Sequence, residues 1–346
     1  MRYSSRFFLY APFAILVALF GIAMLRWWSL AADWDSRLRR MNGHEIAPGI
    51  ALRFESVAIG GFPFGLDLAF QGLRITVAAP RGPLVWYSPR LLSYSLTYGR
   101  DQKVFEASGG QDLSWSDPQG VRHDLRFDAA SFRASALWRS QCLDRFDVDL
   151  LSPRSPAISG ARVQLHARQA AMQNAIELSI SADDIESTPG RPIGLGRMLR
   201  TFVFQGKLVP AAALRSLLCG TENWQDAAEA WRSKSGSLSV GKVAAQFDDL
   251  AVAGHGALVL DGRRRPAGAL DVVVSELAPG QRAAPVFYGR LAGALAALTN
   301  AASAEGRPVS ANLQLQNGLT LLAPTRNDGG SSKKPGDFAG QIDPLY

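Results

Sequence analysis

Cysteine is scarce here, two in 346 residues, and only four His and five Met accompany it. Two thiols cannot build a disulfide-rich scaffold or a four-cysteine zinc site, and so few soft ligands leave little for a transition metal. Charge is thin as well: 19% of residues are charged and 47% are hydrophobic. That is enough apolar material to offset the entropy of ordering, which excludes a disordered or low-complexity chain. Signatures of catalysis are missing. There is no HExxH pair, P-loop or nucleophile elbow, and Gly194 and Gly196 begin a GxGxxG pattern without finishing it. His44, His123, His166 and His255 stand far apart in sequence. Ser331 and Lys334 fit S-x-x-K, but in a Gly-Ser-Lys segment no rigid scaffold holds the lysine against the serine. Asp183-Asp184 and Asp248-Asp249 would point to opposite faces of a strand, which suits turns better than an acid–base pair. The expectation is a protein that is not an enzyme, with no catalytic, cofactor-binding or metal-binding residues and no cofactor.

What is present begins with charge placement. The net charge is +7, which invites a nucleic-acid reading until its location is examined. Residues 1–40 hold six Arg (Arg2, Arg6, Arg26, Arg37, Arg39, Arg40) against Asp33 and Asp35, or +4; the remaining 31 basic and 28 acidic residues give +3. Only Arg263-Arg264-Arg265 forms a tight basic run elsewhere. It reads either as a solvated hairpin tip or as a contact for lipid phosphates, and no nucleic-acid partner is expected.

The basic N-terminus flanks an uncharged run of nineteen residues, Phe7 to Leu25. As a helix rising 1.5 Å per residue this spans about 28 Å, close to the bilayer hydrocarbon thickness. Arg26, Trp27 and Trp28 follow, the amphipathic side chains that favour a headgroup interface. The expected layout is a short tail at 1–6, a transmembrane anchor at 7–28, a β-rich body at 29–323 and a Gly/Ser/Lys tail at 324–346 with a short apolar end. A cleaved signal peptide ending near Ser29-Leu30-Ala31 is the rival, though its apolar core would be unusually long. Flank charge alone leaves the orientation open. The anchor's N-terminal position favours a single-pass protein of the inner membrane with its body in the periplasm.

After residue 45 the prevailing period is two. Leu66, Leu68 and Phe70 alternate with polar or small residues, as do Phe146, Val148 and Leu150, Ile176, Leu178 and Ile180, and Leu313 and Leu315. These are half-buried antiparallel strands with one dry face. At Gly72 the phase flips to Leu73, Ile75 and Val77, which predicts a bulge or kink. Helical spacing interrupts the strands at Pro210–Ser233, with a stop and restart at Cys219-Gly220-Thr221, and at Pro285–Ala302. Phe54 to Gly61 can be laid on Phe247 to Gly254, so two similar half-units, about 45–200 and 201–323, compete with a chance likeness of two ordinary strands. Cys142 and Cys219 are either a disulfide, as an oxidising compartment favours, or two separate small hydrophobes.

The most distinctive string is Gly60-Gly61-Phe62-Pro63-Phe64-Gly65, a glycine turn in which Pro63 withholds a backbone donor between two aromatics. With that turn between alternating strands, Trp86-Tyr87 followed by Pro89, the segment Gly256 to Asp261 and the Pro344-Leu345-Tyr346 end, the chain resembles the bacterial domain-of-unknown-function family numbered 2125. More distantly it is similar to AsmA-type envelope proteins. The resemblance implies a long curved antiparallel sheet with a few helices (mainly β, α+β) and a phospholipid partner; it implies no catalytic residue. The expected function is a membrane-anchored envelope protein that binds or handles lipid on the dry face of that sheet. The alternative is a structural envelope protein without a ligand, bound to other envelope proteins.

Overall fold

The computed structural model describes residues 5–80, 82–96, 101–117, 120–187, 198–247, 250–276, 308–317, 319–324 and 340–341. One long helix, α1 (Ser5–Met41), opens the chain. The strands that follow are β1 (His44–Ala47), β2 (Ile50–Arg53), β3 (Ser56–Gly60), β4 (Gly65–Val77), β5 (Leu84–Leu96), β6 (Gln102–Ser108), β7 (Gln111–Ser116), β8 (Arg122–Phe127), β9 (Ser131–Arg139) and β10 (Cys142–Leu151). Then come β11 (Ile158–Ser159), β12 (Arg162–Ala170), β13 (Ala175–Ser187), β14 (Met198–Val209), the helices α2 (Arg215–Leu218) and α3 (Trp224–Ser233), and β15 (Ser237–Phe247). The last are β16 (Leu250–Leu260), β17 (Pro266–Glu276), β18 (Val309–Gln316), β19 (Leu319–Pro324) and β20 (Gly340–Gln341). All pair antiparallel into one long, curved, open sheet, the fold class that the period-two pattern predicts.

From β12 to β19 each strand pairs with its successor. Near the start, β4 and β5 are long enough to serve two partners on one edge: β4 takes β2 and β3, and β5 takes β6 and β7. The reason is a crease. Within β4 the buried positions run Leu66, Leu68, Phe70 and then Leu73; in β5 they step from Ser88 to Leu91, and in β13 from Ala182 to Ile185. A step of three in a period-two strand needs one residue that turns the chain without moving its neighbours' register. Gly72 does so at φ +59°, and the same left-handed φ recurs at Gly109 (81°), Ser152 (48°) and Asp184 (49°). Register places Gly72 beside Pro89 and Pro89 beside Gly109, and backbone bonds continue the line farther on, where Ala130 donates to Leu151, Ser152 to Ala161 and Ala161 to Asp183. The predicted kink at Gly72 is thus one point of a line shared by neighbouring strands, not an inserted bulge residue, for the register of β4 against β5 is unbroken.

Asp183 and Asp184 lie inside β13, which corrects their expected placement in a turn: a short polar side chain tolerates the left-handed conformation, so the strand bends there without ending. Gly72→Ala is expected to cost about 1–2 kcal/mol, the penalty for placing a Cβ in that region, because the new methyl also meets the Glu55 carboxylate. Urea unfolding would show it as a lower midpoint.

Helix α1 runs unbroken through Trp28 to Met41, so the segment 29–41, expected as part of a β body, is helical. Ala31, Trp34 and Leu38 lie on one stripe of it. Leu38 is 2% exposed and packs with Leu52, Phe54, Leu66, Leu68, Phe70, Leu73, Leu91 and Ala107, with Trp34 against the same cluster. The second half of α1 therefore closes the dry face of the first strands. Asn42 fastens its end: the side-chain amide donates to the Phe54 carbonyl at 3.0 Å and accepts from the Phe54 N–H at 2.9 Å, standing in for a neighbouring strand at the gap between β2 and β3.

A second cap covers the dry face farther along. The Pro210–Ser233 stretch forms a 3-10 turn (Ala211–Leu214), α2 and α3, as its spacing predicts. Asn223 caps α3 by accepting from the Asp226 N–H at 2.9 Å. Ala227 and Trp231 are buried with Ile176, Ala213 and Leu214. Cys219, just past α2, is joined by a disulfide to Cys142 at the start of β10. A third cluster, Phe247, Leu250, Val272, Val274 and Ala311, lies on β15 to β18. The segment Pro285–Ala302, the Gly194/Gly196 pair, Asp248-Asp249, Ser331 to Lys334 and the apolar end lie outside the described residues. Within the expected tail, Gly340 and Gln341 pair with Thr320 and Leu319 on β19.

Candidate functional site

Three features bear on function, one a joint between helix and turn and two built from cross-strand neighbours. The first is the joint between α1 and the Gly60–Gly65 turn. Gly61 takes φ +93° and an added Cβ would run into the Gly65 backbone, so only glycine closes this turn tightly. The turn then presents Phe62 edge-on to Phe20 (5.8 Å between ring centroids) and to Trp27 (5.5 Å). The Trp27 indole N–H donates to the Gly65 carbonyl at 2.8 Å. Of the three residues expected at a membrane interface, Trp27 is thus turned to the body, while Arg26 and Trp28 are exposed.

The second is the dry face between the caps. Val148, Leu165, Ile180, Phe204 and Val243 are directly opposite one another on β10, β12, β13, β14 and β15. With strands about 4.8 Å apart, this row is about 19 Å long. All five side chains stay half-exposed, and none belongs to the three buried clusters found among the described residues. A parallel row, Leu150, Val163, Ala182, Phe202 and Ala245, runs beside it.

The third is the opposite, wet face of the same strands. Arg145, Arg168, Glu177, Lys207 and Ser239 form one row, and Ser135, Asp147, His166, Ser179 and Gln205 the next. Most of them line an open groove of about 500 Å³, where Gly206 and the bulge at Gly241 bend β14 and β15. Each carboxylate is held by two basic side chains. Asp147 accepts from His166 Nδ1 (2.7 Å), Arg145 (2.7 Å) and the Ser135 hydroxyl (3.1 Å); Glu177 accepts from Arg168 (2.6 Å) and pairs with Lys207 at 3.2 Å.

Partial burial works to raise the Asp147 pKa, but the hydrogen bonds from His166, Arg145 and Ser135 outweigh it and hold the carboxyl below its ordinary range. Arg162 does the same for Asp149, and Arg168 and Lys207 for Glu177. A carboxyl with a depressed folded pKa stabilises the fold fully above the unfolded value and loses that contribution as pH falls through the folded one. Acid is therefore expected to weaken the protein below about pH 4. Asp147→Asn should lose less stability than the parent as pH falls from about 5 into the acid range, read as urea midpoints.

Away from this groove, Lys103 sits on the dry side between Trp34 (4.6 Å to the ring centroid) and Trp138 (5.7 Å). Burial pulls its ammonium below the ordinary value, with Asp101 opposing. The run Arg263 to Arg265 is more structured than a solvated tip: Arg265 is paired with Asp261 at 2.7 Å and nearly buried, and Arg264 reaches Glu229 on α3. Among the described residues no three His, Cys, Asp or Glu side chains converge as a metal-holding group.

A family model described as an uncharacterised protein conserved in bacteria (DUF2125) matches residues 27–326. The chain belongs to that family. The DUF2125 match begins at Trp27, so the second half of α1, which packs on the sheet, falls inside the family's domain while the apolar run at 7–25 precedes it. Comparison with curated proteins and with solved structures returns no match. Among the described residues one helix, Tyr10–Met41, contains a window apolar enough to cross a membrane, with a mean hydropathy of 1.9 and none of that window buried in the protein.

The turn and the two cysteines are legible in the sequence, but Asn42, Lys103, the Asp147–His166 pair and the five-strand apolar row are not. Asp147 and His166 are 19 residues apart; only the β10–β12 register brings them together. The alternation of each strand was visible, whereas which alternating strands lie under a helix was not.

Proposed function

We propose that this chain is a single-pass protein of the inner membrane whose body lies in the periplasm and holds a lipid along the dry face of its middle strands. The observation that carries this reading is the half-exposed row Val148, Leu165, Ile180, Phe204 and Val243, bordered by the cluster under α1 and the cluster under α2 and α3. An apolar row of this length on a body tethered to a bilayer suits an acyl chain, since burying it removes apolar surface from water. The Cys142–Cys219 disulfide fits an oxidising compartment. Over β2 to β6 the dry face is closed by α1 itself, so that part serves a structural role and the ligand belongs farther along.

The test compares the full chain with Phe204→Glu after extensive detergent exchange, by native mass spectrometry. The parent is expected to retain lipid that the variant has lost, with both unfolding at the same temperature. Equal retention, or none in the parent, would reject the reading.

A further inference from the structure

The position of the Gly60–Gly65 turn on α1 fixes its depth once α1 is read as a membrane span, and the inference here rests on that reading. Phe62 packs against Phe20, which lies five residues inside Leu25, the end of the uncharged run. At 1.5 Å per residue that is about 7.5 Å below the end of the span. A side chain in contact with Phe20 cannot remain in bulk water if Phe7–Leu25 is in hydrocarbon. We infer that the Phe62-Pro63-Phe64 turn and the adjoining end of β5 are inserted into the bilayer interface, so that the body is seated in the membrane rather than suspended from it.

Three further observations agree. Phe64 and Leu96 are 61% and 62% exposed, and Leu96 lies directly opposite Gly65 in the β4–β5 ladder. No charged residue occurs from Val57 to Leu66 or from Leu91 to Tyr98, so the inserted segments carry no charge of their own, and the nearest carboxylate, Asp67, lies against Gly61 and Gly65 at the base of the turn. Trp27, whose indole bonds the turn at Gly65, is the residue type that sits at headgroup level. The depth matches the roughly 5–10 Å to which apolar faces of interfacial elements enter a leaflet. The partner surface is therefore lipid, and the turn acts as an aromatic wedge whose angle α1 sets.

Nitroxide labels on the full chain in phosphatidylcholine/phosphatidylglycerol vesicles test this through collision with oxygen and with a water-soluble nickel chelate. Labels would be placed by Phe64→Cys and Leu96→Cys, both at exposed positions, with Ile15→Cys in the span and Val121→Cys at the far end of the sheet as references. The expected result is an oxygen-to-nickel ratio at Phe64 and Leu96 several-fold above that at Val121 and approaching that at Ile15. A ratio at both positions equal to that of Val121, with Ile15 still oxygen-favoured, would overturn the inserted turn and leave the span intact. A nickel-favoured Ile15 would overturn the span reading and the inserted turn together.

Discussion

Leu38→Ala is expected to destabilise the body by about 2–5 kcal/mol, the cost of truncating a buried leucine and leaving a partly collapsed cavity. The side chain is 2% exposed and belongs to a buried cluster that spans both arms of the creased sheet, with Leu52, Phe54 and Leu73 on one side of the crease and Leu66, Leu68 and Leu91 on the other. Ile22→Ala, earlier on the same helix and 62% exposed from the protein, should leave chemical unfolding of the body unchanged. The contrast separates two jobs within one helix. Up to about Leu25 α1 is exposed from the protein; from Ala31 onward it is a core element, and the family match, which starts at Trp27, includes that part. Removing residues 1–41 is accordingly expected to yield a body that fails to unfold cooperatively. Equal effects of Leu38→Ala and Ile22→Ala would show that α1 does not pack as described.

Breaking the Cys142–Cys219 link should be the other large effect. The two residues are 77 apart in sequence, and in the chain-entropy description a loop of that length constrains the unfolded state by about 4.5 kcal/mol at 25 °C. The bond fastens the end of α2, part of the second cap, to the start of β10, the strand that carries Val148 of the half-exposed row. A Cys142→Ala/Cys219→Ala chain, or the parent in reductant, is expected to unfold at a clearly lower urea concentration with little change in the slope. Because the cap lies beside the row, reduction should also lower lipid retention. An unchanged midpoint would mean that the link adds nothing to the stability of this fold.

Much of this architecture is legible in the residues because period two is a local property. Leu66, Leu68 and Phe70 alternate in sequence and are buried together, and the phase flip at Gly72 announces a kink before any neighbour is known. What the sequence could not show is that Glu55, Pro89, Gly109, Ser152 and Asp184 continue the same line, since a crease is a relation among strands up to about a hundred residues apart and depends on their register. The helix boundary was misplaced for a related reason. Charge and tryptophan at Arg26–Trp28 mark where a span leaves hydrocarbon, not where a helix stops, and Ala31, Trp34 and Leu38 then supply an apolar stripe that keeps α1 helical against the sheet. Asn42 gave no signal because its role is to substitute for a missing strand partner, and that gap exists only in the folded sheet.

The most direct measurement of the central claim uses two adjacent residues of β13 that face opposite ways. Ile180 lies in the apolar row beside Leu165 and Phe204, and Ser179 in the polar row beside His166 and Gln205. A photo-crosslinking amino acid placed at one or the other in the full chain in cells, followed by mass spectrometry of the adducts, reports what touches each face. The account predicts lipid adducts from position 180 and none from position 179. Lipid adducts at neither position, or at both equally, would contradict it.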